Sequence, residues 1–173
     1  MSDKTTVDFR APSASKKSPR AVADLAGGLI IATAEISASP ERIFQALTTN
    51  EVEVWWGHAD FYRQKDWKAD LRVAGQWTVS VIFGDGSSNR GSGEFAEIDA
   101  PHRLVMTRKF DTHPLQGTRE TTITYRLEPI ATGTLLTVRD EGFVGRRAAA
   151  EGNAEHWERV LAWLEAYLNG EKE

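Results

Sequence analysis

The sequence predicts an α+β domain in which a curved antiparallel sheet of six to seven strands wraps a long C-terminal helix. Three observations predict it. Near the end, Trp157, Val160, Leu161, Leu164 and Leu168 recur at the i, i+3, i+4, i+7 spacing of one buried helix face. Ahead of that helix the chain runs as short strand-like segments joined by turn chemistry, which implies an antiparallel meander and not a parallel sheet with helical crossovers. In front of the meander, a first strand is followed by two short helices. A helix with one apolar face against a sheet of many short strands leaves room for a ligand between them.

The elements follow in order. Residues 1–22 are rich in Ser, Ala, Lys, Arg and Pro and read as a disordered, locally basic tail, with residues 23–170 as a single domain. Residues 29–36, dense in Ile, Ala and Thr, form the first strand. Ser39 is a good N-cap and Pro40 suits the first helical position, while Ile43, Phe44 and Leu47 give that helix its buried face. A second short helix or turn covers residues 50–56. Trp77, Val79, Val81 and Phe83 alternate with Thr78 and Ser80, the period of a half-buried strand. Gly84-Asp85-Gly86 then turns the chain as a hairpin. Further strands fall at residues 93–98, 103–110, 118–127 and 134–140, separated by Asp99-Ala100-Pro101, His113-Pro114, and Pro129 with Gly133. From residue 146 the pattern is helical. Strand, two short helices, meander and long helix together make the helix-grip arrangement.

Composition narrows the function. The chain of 173 residues has 40% hydrophobic and 27% charged residues, ordinary for a globular protein. Its net charge of -4 gives no general footprint for nucleic acid. No cysteine is present, which removes disulfides, thiolate catalysis and Cys-ligated metals. The first residues lack the apolar core of a signal peptide, and residues 25–34 are too short and too Gly-broken to span a bilayer. The expectation is a cytoplasmic protein, monomer or weak homodimer, with no membrane insertion, no cofactor and no metal. His58, His102, His113 and His156 show no metal-ligand spacing. No nucleophile elbow or phosphate-cradling loop appears; Gly91-Ser92-Gly93 lacks the helix and lysine that such a loop needs.

Several motifs, taken in order, resemble one family. Ser37-Ala38-Ser39-Pro40-Glu41-Arg42-Ile43-Phe44 and Trp55-Trp56-Gly57 come first, then Asp70-Leu71-Arg72-Val73-Ala74-Gly75-Gln76-Trp77. Pro101-His102-Arg103-Leu104-Val105, Gly133-Thr134-Leu135-Leu136-Thr137 and Glu141-Gly142-Phe143 complete the series. In this order they resemble the START-related polyketide cyclase superfamily (SRPBCC, START-like), and within it the homologues of the activator of heat-shock-protein-90 ATPase. The resemblance spans roughly residues 29–168 and implies the helix-grip fold with a cavity between sheet and helix. It also implies that Trp55 and Trp56 lie near the cavity mouth. Three positions depart from the family pattern. Ala74 replaces a glycine, which suggests a less demanding turn. Arg108 stands where relatives often place an aromatic, and Asp140 where many have histidine, so the pocket should be more polar than usual.

These readings give the candidate residues. Trp55, Trp56, Trp77, Tyr125 and Trp157 are the candidate aromatic contacts for a ligand, with core filling as the plainer role of Trp77 and Trp163. Arg108 shares a strand face with Leu104 and Met106 if those point inward, and a buried guanidinium then needs Asp140, Glu141, Glu94 or a ligand carboxylate beside it. Asp140 and Glu141 are the candidate acid–base groups of an enzyme. The leading expectation is binding of a small hydrophobic or amphipathic molecule. A cyclase-, aromatase- or hydratase-like enzyme is the first alternative. A chaperone ATPase-stimulating module is the second, and it rests on the resemblance alone.

Overall fold

The computed structural model describes residues 18–112 and 119–170. Strand β1 (Arg20–Asp24) pairs antiparallel with β2 (Leu29–Ile36), where Ile30, Ala32, Ala34 and Ile36 are buried at every second position. Helix α1 (Pro40–Thr48) starts at Ser39, whose Oγ accepts from Arg42 N at 3.2 Å, and it buries Ile43, Phe44, Ala46 and Leu47. A single-turn helix α2 (Val52–Trp55) follows, and with α1 it carries the chain from one side of the sheet to the other.

The chain then returns as a meander. It runs through β3 (Gly57–His58), β4 (Tyr62–Ala69), β5 (Gln76–Phe83), β6 (Ser88–Asp99), β7 (Arg103–Phe110), β8 (Thr121–Ile130) and β9 (Gly133–Glu141). Each strand pairs antiparallel with the next, and β9 closes on β2, giving the order β1-β2-β9-β8-β7-β6-β5-β4-β3. Helix α3 (Arg147–Leu168) lies across the concave face, packed on β1 and β2. Trp157, Val160, Leu161 and Leu164 are its buried stripe, the face that the spacing predicts. At 22 residues the helix is about 33 Å long. The helix-grip arrangement is therefore the fold of this chain.

The structure corrects the sequence reading in three places. The sheet of the described residues has nine strands, not six to seven. The additional strands are β1, β3 and β4. Strand β4 reads Tyr-Arg-Gln-Lys-Asp-Trp-Lys-Ala, too charged to signal a strand, and its alternation is broken by a register shift between Lys65 and Lys68 with Asp66 at φ 56°. Second, the polar N-terminal segment does not extend to residue 22, because Arg20–Asp24 is paired with β2 and Ala21 N donates to Glu158 of α3. Residues 1–17 of that expected tail, and the expected turn at His113-Pro114, lie outside the described residues. Third, the turn before β5 is not relaxed by Ala74. That residue holds φ 67°, the left-handed region in which an alanine costs about 1–2 kcal/mol more than a glycine. Its N–H donates to the Phe95 carbonyl at 2.8 Å, which keeps the turn closed against β6.

Candidate functional site

Between α3 and strands β4 to β8 the side chains do not fill the space. A cavity of about 440 Å³ remains, within the range that small-molecule sites occupy. Its walls are mostly apolar: Trp77, Val79 and Val81 of β5, Met106 of β7, and Ile123 and Tyr125 of β8. Gly93 shapes the β5 wall. It pairs with Trp77, and a Cβ there would collide with the Thr107 carbonyl oxygen and crowd Trp77 Nε1. The bare backbone lets the indole lie flat enough for Nε1 to donate to Thr107 O at 3.1 Å, while its ring stacks on Trp67.

Gln64, Asn89 and Asn153 are among the lining residues, and two further groups of polar side chains stand out. In the interior, Arg108 lies on the inward face of β7 together with Leu104 and Met106, all buried. Its Nη2 donates to Asp140 Oδ2 at 2.7 Å, and Trp157 Nε1 donates to the same oxygen at 2.9 Å. Asp140 is fully buried and the Arg108 side chain is 7% exposed. A guanidinium in such surroundings is stable only with a counter-ion, and here the fold supplies one. Tyr125 stands beside this pair, and burial pushes its phenol above the ordinary tyrosine range.

The second polar group lies toward α2 and the outer end of α3. Trp56 Nε1 donates to Tyr62 Oη at 2.9 Å, and Tyr62 Oη lies 2.7 Å from His156 Nε2. The phenol oxygen can accept the indole hydrogen and still share its own proton with the imidazole. Burial raises the Tyr62 pKa, against the opposing pull of the Trp56 hydrogen bond and the charges of Arg108 and Arg159. Tyr62 is thus a neutral O–H at ordinary pH. One turn along α3 from His156, the Arg159 guanidinium sits 4.1 Å from the centre of the Phe61 ring. Phe61 is 43% exposed and packs at a tilt against Trp163, ring centres 5.9 Å apart, so this stack forms the rim of the cavity.

The candidates sort by where these elements place them. Trp56, Trp77, Arg108 and Tyr125 line the cavity. Trp55 does not: it faces α1, buried, with Nε1 donating to the Ala46 carbonyl at 2.9 Å. Consecutive residues at the end of a one-turn helix point different ways, so only Trp56 reaches the space. Trp157 is likewise a core residue, holding Asp140. Asp140 is committed to Arg108 and Trp157 and is not part of the lining. Glu141 points away on the alternate face of β9, where it pairs with Arg139 at 3.1 Å and is 42% exposed. Neither carboxylate is directed into the cavity. Among the described residues no cluster of His, Asp or Glu could hold a metal ion.

A model of the family described as activator of Hsp90 ATPase homolog 1-like protein matches residues 37–169. The chain belongs to this family. Its fold recurs in solved structures. A protein from Arthrobacter aurescens is 22% identical with a TM-score of 0.74, the match covering 87% of this chain and 91% of that one. A Mycobacterium smegmatis protein is 23% identical with a TM-score of 0.73, over 88% of this chain and 98% of its own. A Chromobacterium violaceum protein is 24% identical with a TM-score of 0.71, over 82% and 96% respectively. At such identities the likeness shows the fold alone. No curated protein matches the chain. No described helix is long and apolar enough to cross a membrane. The fold is compatible with ligand binding, and within it the two departures at Arg108 and Asp140 prove to be partners of one another.

Sequence reasoning missed Tyr62, His156 and Arg159. A signal for two of them is present. Gly152, His156 and Arg159 follow the i, i+4, i+7 spacing along α3, a small-and-polar stripe beside the apolar one. Such a stripe on a gripped helix faces the space that the sheet leaves open. Tyr62 had no comparable signal, since it opens a strand that the sequence does not announce.

Proposed function

We propose that the protein binds a small hydrophobic or amphipathic molecule in the cavity between the sheet and α3. The observation that carries this reading is the cavity itself: about 440 Å³, walled mostly by aromatic and aliphatic side chains, with a small number of polar side chains among them. Large apolar surface with a few fixed hydrogen-bonding groups suits a ligand whose shape is read by packing and whose orientation is read by one or two polar contacts. Trp56, Trp77 and Tyr125 supply the flat surfaces, and Tyr62 with His156 supplies the polar contact.

Native mass spectrometry of protein purified from its own source, together with titration by an environment-sensitive apolar dye, tests the reading. A ligand mass or saturable dye binding is expected. Val81→Phe, which fills the cavity from β5, should abolish dye binding while leaving the circular dichroism spectrum unchanged. Dye binding that survives Val81→Phe would place the apolar site elsewhere.

One observation favours a second reading, an enzyme that moves a proton. The Tyr62–His156 hydrogen bond pairs a neutral phenol with an imidazole at the cavity wall, which can give and take a proton without a carboxylate. On this reading the acid–base pair is Tyr62 and His156, in place of Asp140 or Glu141. Turnover of a bound ligand that Tyr62→Phe removes, with binding retained, is its expected signature.

A further inference from the structure

Two guanidinium groups line the cavity, and they differ in what answers their charge. Arg108 has Asp140 at 2.7 Å, so the interior is electrically balanced before any ligand arrives. Arg159 rests on the Phe61 ring at 4.1 Å, and among the described residues no carboxylate lies within 4.0 Å of it. The nearby acidic groups are otherwise engaged or solvated. Asp60 shares the rim, but its carboxylate lies 3.3 Å from His58 Nδ1 and is 80% exposed. Glu158, the neighbour of Arg159 on α3, turns to β1 and accepts from Ala21 N. Glu155, one turn back, is exposed.

Resting on the ligand-binding reading above, we propose that the cavity takes an amphiphile with an anionic head, a carboxylate, and that Arg159 holds this head at the rim. An arginine stacked on an aromatic face keeps its in-plane N–H donors for a second partner, and a carboxylate matches them two at a time. Tyr62 and His156 border the same place, so the head meets a charge and a phenol hydrogen-bonded to an imidazole together. The apolar body points inward over Trp77, Val81 and Tyr125. The opposite orientation is disfavoured, since a carboxylate driven to the interior would stand beside Asp140, whose charge already balances Arg108. The site therefore selects polarity as well as class: head out, body in.

Isothermal titration with matched pairs tests this. Octanoate against octan-1-ol probes a flexible body, and 2-naphthoate against 2-naphthamide probes a flat one. Wild type should bind the carboxylate of at least one pair about tenfold tighter than its neutral partner, and the preference should shrink as salt is added. Arg159→Gln should erase the preference and leave the neutral member's affinity within about twofold, while Arg159→Lys should restore part of it. Equal affinities within each pair, or a preference that persists in Arg159→Gln, overturns the proposal and leaves the cavity reading intact. Failure of all four compounds and of the apolar dye to bind wild type removes both.

Discussion

The two arginines of the cavity show how one residue type takes opposite roles in one space. Arg108 is nearly enclosed and its charge is balanced by a carboxylate from β9 and fixed further by an indole from α3. Arg159 lies at the rim, stacked on a half-exposed ring. The first is part of the architecture because the fold carries its counter-ion. The second has kept its charge for something that comes from outside. The lesson is that an arginine in a pocket is read from its partners, not from its presence.

The largest expected effect breaks the interior half of this comparison. Asp140→Ala leaves the Arg108 guanidinium buried without its carboxylate and Trp157 Nε1 without its acceptor. It should lower stability by about 3–5 kcal/mol, read as a shifted urea midpoint. Arg108→Met combined with Asp140→Leu should recover much of that loss, because an apolar pair of similar bulk needs no compensation. If the double variant is as unstable as Asp140→Ala, packing and not charge dominates there.

A third arginine gives an intermediate case. Arg42 grips Glu51 through both nitrogens at 2.9 and 2.7 Å, and Tyr167 near the end of α3 donates to the same carboxylate at 2.7 Å. The Arg42 hydrogen bonds hold the Glu51 carboxyl below its ordinary value of 4.5. Its contribution is thus fully present above that unfolded-state value and is lost as the pH falls through the lower folded-state value. Glu51→Gln should cost about 1 kcal/mol near neutrality, since the pair is partly solvated. The difference in Tm from wild type should shrink as the pH falls below the unfolded-state value and on through the lower folded-state one; a difference that stays constant on acidification would assign the effect to packing alone.

The smallest effect belongs to the rim. Arg159→Gln should change stability by less than about 0.5 kcal/mol in the same urea assay, because it removes one exposed cation–ring contact. A loss comparable to that of Asp140→Ala would make Arg159 structural and collapse the distinction.

Much of this was legible in the sequence, for identifiable reasons. The apolar stripe of α3, the cap at Ser39 and the alternation of β5 and β7 are local signals, and the structure follows each. The inward face of Arg108 followed from Leu104 and Met106, and Asp140 was among its possible partners. What the sequence could not order was distance across the sheet. Arg108 and Asp140 are separated by a whole strand, and Tyr62 and His156 by most of the chain. Strand β4 was illegible because its other positions carry Arg63, Lys65, Asp66 and Lys68, and a register shift breaks the alternation of its cavity-lining Tyr62, Gln64 and Trp67.

The ion pair also bears on how the sheet assembles. Arg108 sits opposite Thr121 in the β7–β8 ladder, and Asp140 opposite Ile123 in the β8–β9 ladder. The two charges meet only if both ladders are in register at once. Strand β8 sets its own register through Ile123, Tyr125 and Leu127, buried at every second position. A slip by one residue in either ladder would turn one charge outward and strand the other in an apolar wall. Misaligned sheets thus carry an isolated buried ion, and the pair works as a proofreading mark that adds to the hydrophobic alternation of β8 and β9.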